Sequence, residues 1–269
     1  MGALLQNTIF GRLKINTVFY RGKAKTNLLT QMYTSFSPDG TRLYATLHNG
    51  PDSIAQYSLS PPWDVTTATY LNKSMTMTQN GESQIRGHYF SPDGKKIFVS
   101  GTTSKCIYAY QLATAWDVST ISYIGFYPIG TTGYNFFSSD GTMFFNHTGS
   151  VLTKYLLSTP WDLNTLTPSQ TLNFSTHGFY VTPDGKSILY TKLSGARSVI
   201  KISLLNPYDL NTAYTSESID LSTIIPGGNF YAVNFSPDGL KMFWSSYFTS
   251  IWGFDLSKSF KINATLKTT

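Results

Sequence analysis

Phe36-Ser37-Pro38-Asp39-Gly40 is a five-residue phrase that the chain uses again and again. It returns as Phe90-Ser91-Pro92-Asp93-Gly94, Phe137-Ser138-Ser139-Asp140-Gly141, Val181-Thr182-Pro183-Asp184-Gly185 and Phe235-Ser236-Pro237-Asp238-Gly239. From glycine to glycine the intervals are 54, 47, 44 and 54 residues. A period of roughly 40 to 50 residues marks a propeller or solenoid. The phrase has the chemistry of a hairpin turn. Proline sets φ for the first corner, Asp bonds back to nearby backbone, and Gly takes the left-handed position.

Each hairpin returns into a strand apolar on alternate residues, such as Arg42-Leu43-Tyr44-Ala45-Thr46 or Lys96-Ile97-Phe98-Val99-Ser100. A third strand follows, of the type Ile54-Ala55-Gln56-Tyr57-Ser58-Leu59. Next comes a second fixed phrase: Pro62-Trp63-Asp64, Ala115-Trp116-Asp117, Pro160-Trp161-Asp162 and Pro207-Tyr208-Asp209, each with Thr three residues after the Asp. Here Asp reads as the cap of a single turn, and the aromatic as a cover for the outer edge of a blade. With the strand that follows, each repeat makes one four-stranded blade. The fifth copy, Ser259-Phe260-Lys261, lacks the Asp. The last blade is therefore expected to borrow its outer strand from residues 15 to 21, which closes the ring. The expected fold is all-β, a single five-bladed β-propeller over residues 13–269 preceded by an arm of residues 1–12.

Charged residues make up only 13% of the chain, while Tyr and Phe number 18 each. The net charge of +6 is concentrated at the start, where Arg12, Lys14, Arg21, Lys23 and Lys25 precede any acid. Such an arm could touch an acidic surface, or simply solvate a strand edge. The single cysteine, Cys106, sits in an apolar strand pattern and reads as a small buried hydrophobe. Met1-Gly2-Ala3-Leu4-Leu5 lacks the basic start of an export signal, and no run of about 18 apolar residues suggests a membrane span.

The 14 acids offer little to catalysis, because nine belong to the two repeated turns. Asp52, Glu82, Glu217, Asp220 and Asp255 remain, in no informative spacing. His48, His88, His147 and His177 could all lie towards one rim, but none has metal-ligand spacing, so no metal site is assigned. Phosphate-binding loops, dinucleotide fingerprints and nucleophile elbows are absent. No cofactor is expected, and nucleic acid is not an expected partner. Stacking the repeats just ahead of the hairpins gives a better surface. Tyr33, Arg86, His88, Tyr134, Asn135, His177 and Tyr231 enter the innermost strands, where aromatic faces beside Asn, Arg and His suit a neutral sugar.

The hairpin phrase with its Leu-Tyr-Ala-Thr type strand resembles the Tyr-Val-Thr-Asn family of β-propeller repeats. The phrase from Tyr57 to Ala68 is similar to repeats of tailed-phage structural proteins. Together the resemblances cover about residues 32 to 262. They imply a non-enzymatic virion surface protein, made in the host cytoplasm and binding a host-surface glycan or receptor through one face. Residues 1–25 would dock onto other virion proteins. The alternatives are a purely structural docking module, or a bacterial propeller enzyme of lactonase or glycan-lyase type in the cytoplasm or at the cell surface. Some relatives of the first group are enzymes, but none of their catalytic residues maps onto a position here.

Overall fold

The computed structural model describes residues 17–25, 31–47, 51–78, 81–130, 133–192, 197–225, 230–246, 250–262 and 265–268. The expected arm, residues 1–12, and His48 lie outside them.

The repeats are blades. After β1 (Thr17–Lys25), the first blade is β2 (Gln31–Phe36), β3 (Arg42–Leu47), β4 (Ser53–Ser58) and β5 (Thr69–Thr76). The second is β6 (Ile85–Phe90), β7 (Lys96–Gly101), β8 (Cys106–Leu112) and β9 (Ile121–Pro128). The third is β10 (Tyr134–Phe137), β11 (Met143–His147), β12 (Val151–Leu157) and β13 (Leu166–Asn173). The fourth is β14 (Phe179–Val181), β15 (Ser187–Thr191), β16 (Ser198–Leu204) and β17 (Ala213–Asp220). The fifth joins β18 (Phe230–Phe235), β19 (Lys241–Ser246) and β20 (Ser250–Leu256) to β1, with β21 (Thr265–Thr268) outside it.

Closure follows the expected route, with one addition. β1 runs antiparallel to β20, pairing Val18 with Leu256 and Lys25 with Ser250. β21 then adds a fifth strand, parallel to β1, which the repeat pattern does not foretell. Phe36 and Phe243 meet across the seam with ring centroids 4.3 Å apart, and Asn234 donates to the Thr34 carbonyl at 2.8 Å.

The two repeated phrases form one device. In each hairpin the Asp carboxylate accepts from the residue after Gly, as in Thr41 N–H to Asp39 at 3.0 Å, and Gly40 sits at φ +71°. The aromatic of the second phrase does not cover the outer edge of its blade. It lies on the hairpin glycine: Trp63 N–H donates to the Gly40 carbonyl at 2.9 Å. A Cβ on Gly40 would stand 2.2 Å from the Trp63 indole. Trp116 on Gly94, Trp161 on Gly141, Tyr208 on Gly185 and Phe260 on Gly239 repeat the arrangement. The expected caps also form, with Asp64 accepting from Thr66 N–H at 3.0 Å.

Blades lock through one position of the third strand. Gln56 accepts from Val118 N–H at 3.1 Å, Lys154 donates to the Tyr208 carbonyl at 2.9 Å, and Lys201 to the Phe260 carbonyl at 3.2 Å. At the equivalent Gly253, an added Cβ would come within 3.3 Å of Val65 of the first blade. That seam, like the one at the equivalent Ala109, which clusters with Leu163 of the third blade, is packed by apolar contact where the other three use a polar bridge.

Candidate functional site

β2, β6, β10, β14 and β18 line the central channel and all run towards their hairpins, so equivalent positions form rings. The ring nearest the hairpins is Ser35, Tyr89, Phe136, Tyr180 and Asn234, all half-buried or part-exposed. Two residues back stand Tyr33, Gly87, Tyr134, Gly178 and Ala232, all buried. One further back lie Arg86, His177 and Tyr231, partly exposed at the opposite rim.

The middle ring is closed by two large side chains among three small ones. The Tyr33 and Tyr134 rings meet with centroids 4.9 Å apart, and Tyr33 meets Tyr231 edge-on at 5.9 Å. Gly178 admits nothing larger, because a Cβ there would stand 2.1 Å from the Tyr231 carbonyl oxygen. Five inner strands approach this closely only where such small residues yield space. The tyrosine pair is thus a septum between an outer rim and an inner vestibule.

On the rim, Tyr134 Oη and His177 Nδ1 are 3.1 Å apart, and the His177 ring stacks on Tyr231 at 4.7 Å. Arg86 stands beside both septum phenols. The Tyr33 hydroxyl is enclosed next to Tyr134 and Arg86 but forms no hydrogen bond of proper geometry with either. Burial, reinforced by Tyr134, pushes the Tyr33 phenol well up, so it stays protonated. Burial and then the Arg86 charge hold His177 below the ordinary imidazole range. The rim and the septum beneath it therefore combine a permanent cation with a neutral imidazole and three phenols. Sequence reasoning named all five residues, and the structure brings them together.

His88 and Asn135 belong elsewhere. His88 is buried, with Nε2 at 2.8 Å from Ser35 Oγ and Nδ1 at 3.0 Å from Thr46 Oγ1. The spacing is that of a nucleophile and its base, but burial depresses His88 to about 3. An imidazole so reluctant to accept a proton orients the Ser35 hydroxyl and does not activate it. Asn135 donates to the Phe98 carbonyl at 3.3 Å, and its side-chain oxygen is buried without a partner.

The remaining histidine and the spare acids that the structure describes are largely structural. His147 is buried, donates from Nε2 to the Phe174 carbonyl at 2.9 Å and accepts at Nδ1 from Gly149 N–H at 2.9 Å. Glu82 accepts from the backbone N–H groups of Ser83, Gln84, Thr103 and Ser104. Cys106 is buried, and its thiol faces the Ser104 carbonyl. Among the described residues, no group of three His, Cys, Asp or Glu side chains gathers. No helix among them is long and apolar enough to cross a membrane.

No protein-family model matches the chain, and comparison with curated proteins finds no match. Solved structures of similar fold do match. A putative 6-phosphogluconolactonase from Bacteroides fragilis is 16% identical, with TM-score 0.51, over 80% of this chain and 76% of that one. A putative 6-phosphogluconolactonase from Bacteroides uniformis is 17% identical, with TM-score 0.47, over 80% and 62%. The periplasmic gluconolactonase of Pseudomonas aeruginosa is 14% identical, with TM-score 0.48, over 80% and 63%. The chain spans less than two thirds of the length of the last two proteins. At these identities the likeness shows the fold alone. It nonetheless corrects the expectation of a non-enzymatic protein, because a structure of similar fold is named as a putative 6-phosphogluconolactonase and the rim holds groups that catalysis uses. None of these names refers to a virus particle, so the virion and host-attachment expectations gain no support from them.

Proposed function

We propose that the protein is a hydrolase of sugar-derived lactones, with its reaction centre at the Arg86 rim. The observation that carries this reading is the neutral His177 imidazole held beside the Arg86 guanidinium and bonded to Tyr134. Hydrolysis of a lactone needs a base for the attacking water and a cation where the carbonyl oxygen gains charge. With Nδ1–H donating to Tyr134 Oη, His177 Nε2 is free to take the water proton. Arg86 receives the carbonyl oxygen as negative charge grows, and later the product carboxylate. The ring C–O bond breaks as His177 returns its proton to the leaving oxygen, so lactone and water give the hydroxy acid. Tyr231 and the septum phenols supply the stacking face and hydroxyl contacts that a sugar needs. The lactonase names borne by proteins of this fold point in the same direction.

The test is acid release from glucono-δ-lactone, compared with buffer alone. Arg86→Gln is expected to reduce the rate about 10²- to 10³-fold, as loss of an oxyanion contact does, and His177→Ala about 10²-fold. Spontaneous rates with every sugar lactone tried, unchanged by the protein, would sink the reading.

A further inference from the structure

The other side of the septum holds a separate chamber. A cavity of about 360 Å³ opens among the hairpin turns and ends at Tyr33 and Tyr134, which falls within the range of small-molecule pockets. Arg86, His177 and Tyr231 are not among its walls, and among the described residues no Asp, Glu, Lys or Arg lines it.

Its walls differ from side to side. On one side Tyr89, Phe136 and Tyr180 form a continuous aromatic surface, with Phe136 edge-on to Tyr89 at 5.0 Å and to Tyr180 at 5.4 Å. On the other side stand Ser35 and Asn234. The Asn234 amide N–H already serves Thr34, which leaves its carbonyl oxygen as an acceptor. Ser35 Oγ is oriented by His88.

We propose that this vestibule binds one neutral sugar ring, separately from any chemistry at the rim. The aromatic wall takes the apolar C–H face, and the acceptors opposite take hydroxyl protons. The absence of ionised walls selects against sugar acids and phosphates, because a charge there would lose hydration without gaining a partner. The two ends of the channel thus divide their ligands by charge: the rim carries a cation, the vestibule none.

Trp63 and Trp116 line the mouth, so indole fluorescence reports occupancy. The full chain is titrated with the methyl glycosides of glucose, galactose, mannose and N-acetylglucosamine, and with gluconate as the charged counterpart. Ligand-observed saturation-transfer NMR is run in parallel. Saturable binding of at least one glycoside is expected, insensitive to salt, with gluconate giving no change in indole fluorescence. Phe136→Leu keeps apolar volume but removes the ring, and should weaken binding about 3- to 10-fold while lactone hydrolysis is unchanged. Arg86→Gln should leave glycoside binding as it was. Absence of saturable binding by all four glycosides, or equal binding by Phe136→Leu, overturns the proposal. Either result leaves the reading of the rim standing or falling on its own assay.

Discussion

Trp116 bonds its backbone N–H to the Gly94 carbonyl at 2.9 Å and lays its indole where a Gly94 side chain would stand, 2.3 Å from an added Cβ. The glycine is thus required twice, by its φ of +68° and by the ring above it. Gly94→Ala should cost about 2–4 kcal/mol, combining backbone strain with overpacking. In the Trp116→Ala background the same change should cost clearly less, because the overpacking part disappears. Urea unfolding of the four proteins of this cycle measures the coupling. Additive losses would mean that the indole is not what excludes the side chain.

A neutral His177 beside Arg86 predicts an ordering of proton affinities. Burial and the Arg86 charge both lower its pKa, so the imidazole should remain neutral as pH falls through about 6.5, the ordinary value. Nitrogen-detected NMR on the imidazole should place its midpoint below that value. Arg86→Gln removes one of the two causes and should move the midpoint upward. A midpoint unmoved by Arg86→Gln would separate the two side chains electrostatically.

Acid should weaken the ring earlier than carboxylate titration alone predicts. His88 is held at about 3 and His147 at about 4, in both cases chiefly by burial. Unfolded chains protonate histidine near pH 6.5, so from there downward the unfolded state binds protons that the folded state refuses. The stability these two neutral residues contribute is fully present above pH 6.5 and is lost as pH falls towards 4 and then 3. Each can contribute a slope of up to about 1.4 kcal/mol per pH unit. Urea midpoints between pH 7 and 4.5 should fall steadily, and less steeply in His147→Gln.

Glu82 offers a contrast, a buried acid kept charged. Burial opposes its charge, but bonds from the Ser104 and Gln84 backbone lead those that outweigh it and keep the carboxyl below its usual range. Its two oxygens clasp the turn around Thr103 and Ser104 to the segment entering β6. Glu82→Gln turns an amide NH₂ towards N–H donors and should cost about 2–3 kcal/mol. Hydrogen exchange should accelerate first at Thr103 and Ser104. Uniform acceleration over the whole blade would argue against a local clasp.

The ring itself was legible because turns are local. Asp39 and Gly40 need only their own neighbours to declare a hairpin, and five such declarations count the blades. The rim was partly legible for the same reason: stacking the repeats aligns Tyr33, Arg86, Tyr134, His177 and Tyr231 by spacing alone. The partnership of Trp63 with Gly40 was not, since each residue has a sufficient local explanation and nothing in the spacing says that they touch. The division of the channel was equally hidden. It depends on Tyr33 and Tyr134 crossing between Gly87, Gly178 and Ala232, a packing outcome that only the closed ring imposes. The vestibule wall could have been read two positions nearer each hairpin, where Tyr89, Phe136 and Tyr180 stand with no charge among them.

The seam between β1 and β20 also sets a timetable. Arg21 and Asp255, paired across it, are 234 residues apart in the chain. A strand made early must therefore wait, unpartnered on both edges, until β20 and β21 have been made. Four blades can assemble from contacts close in sequence while the circle stays open, but the final join bears the full entropy of the longest loop. Closure is thus a late and all-or-nothing event, and the vestibule and the rim, which need all five inner strands, come into being only with it.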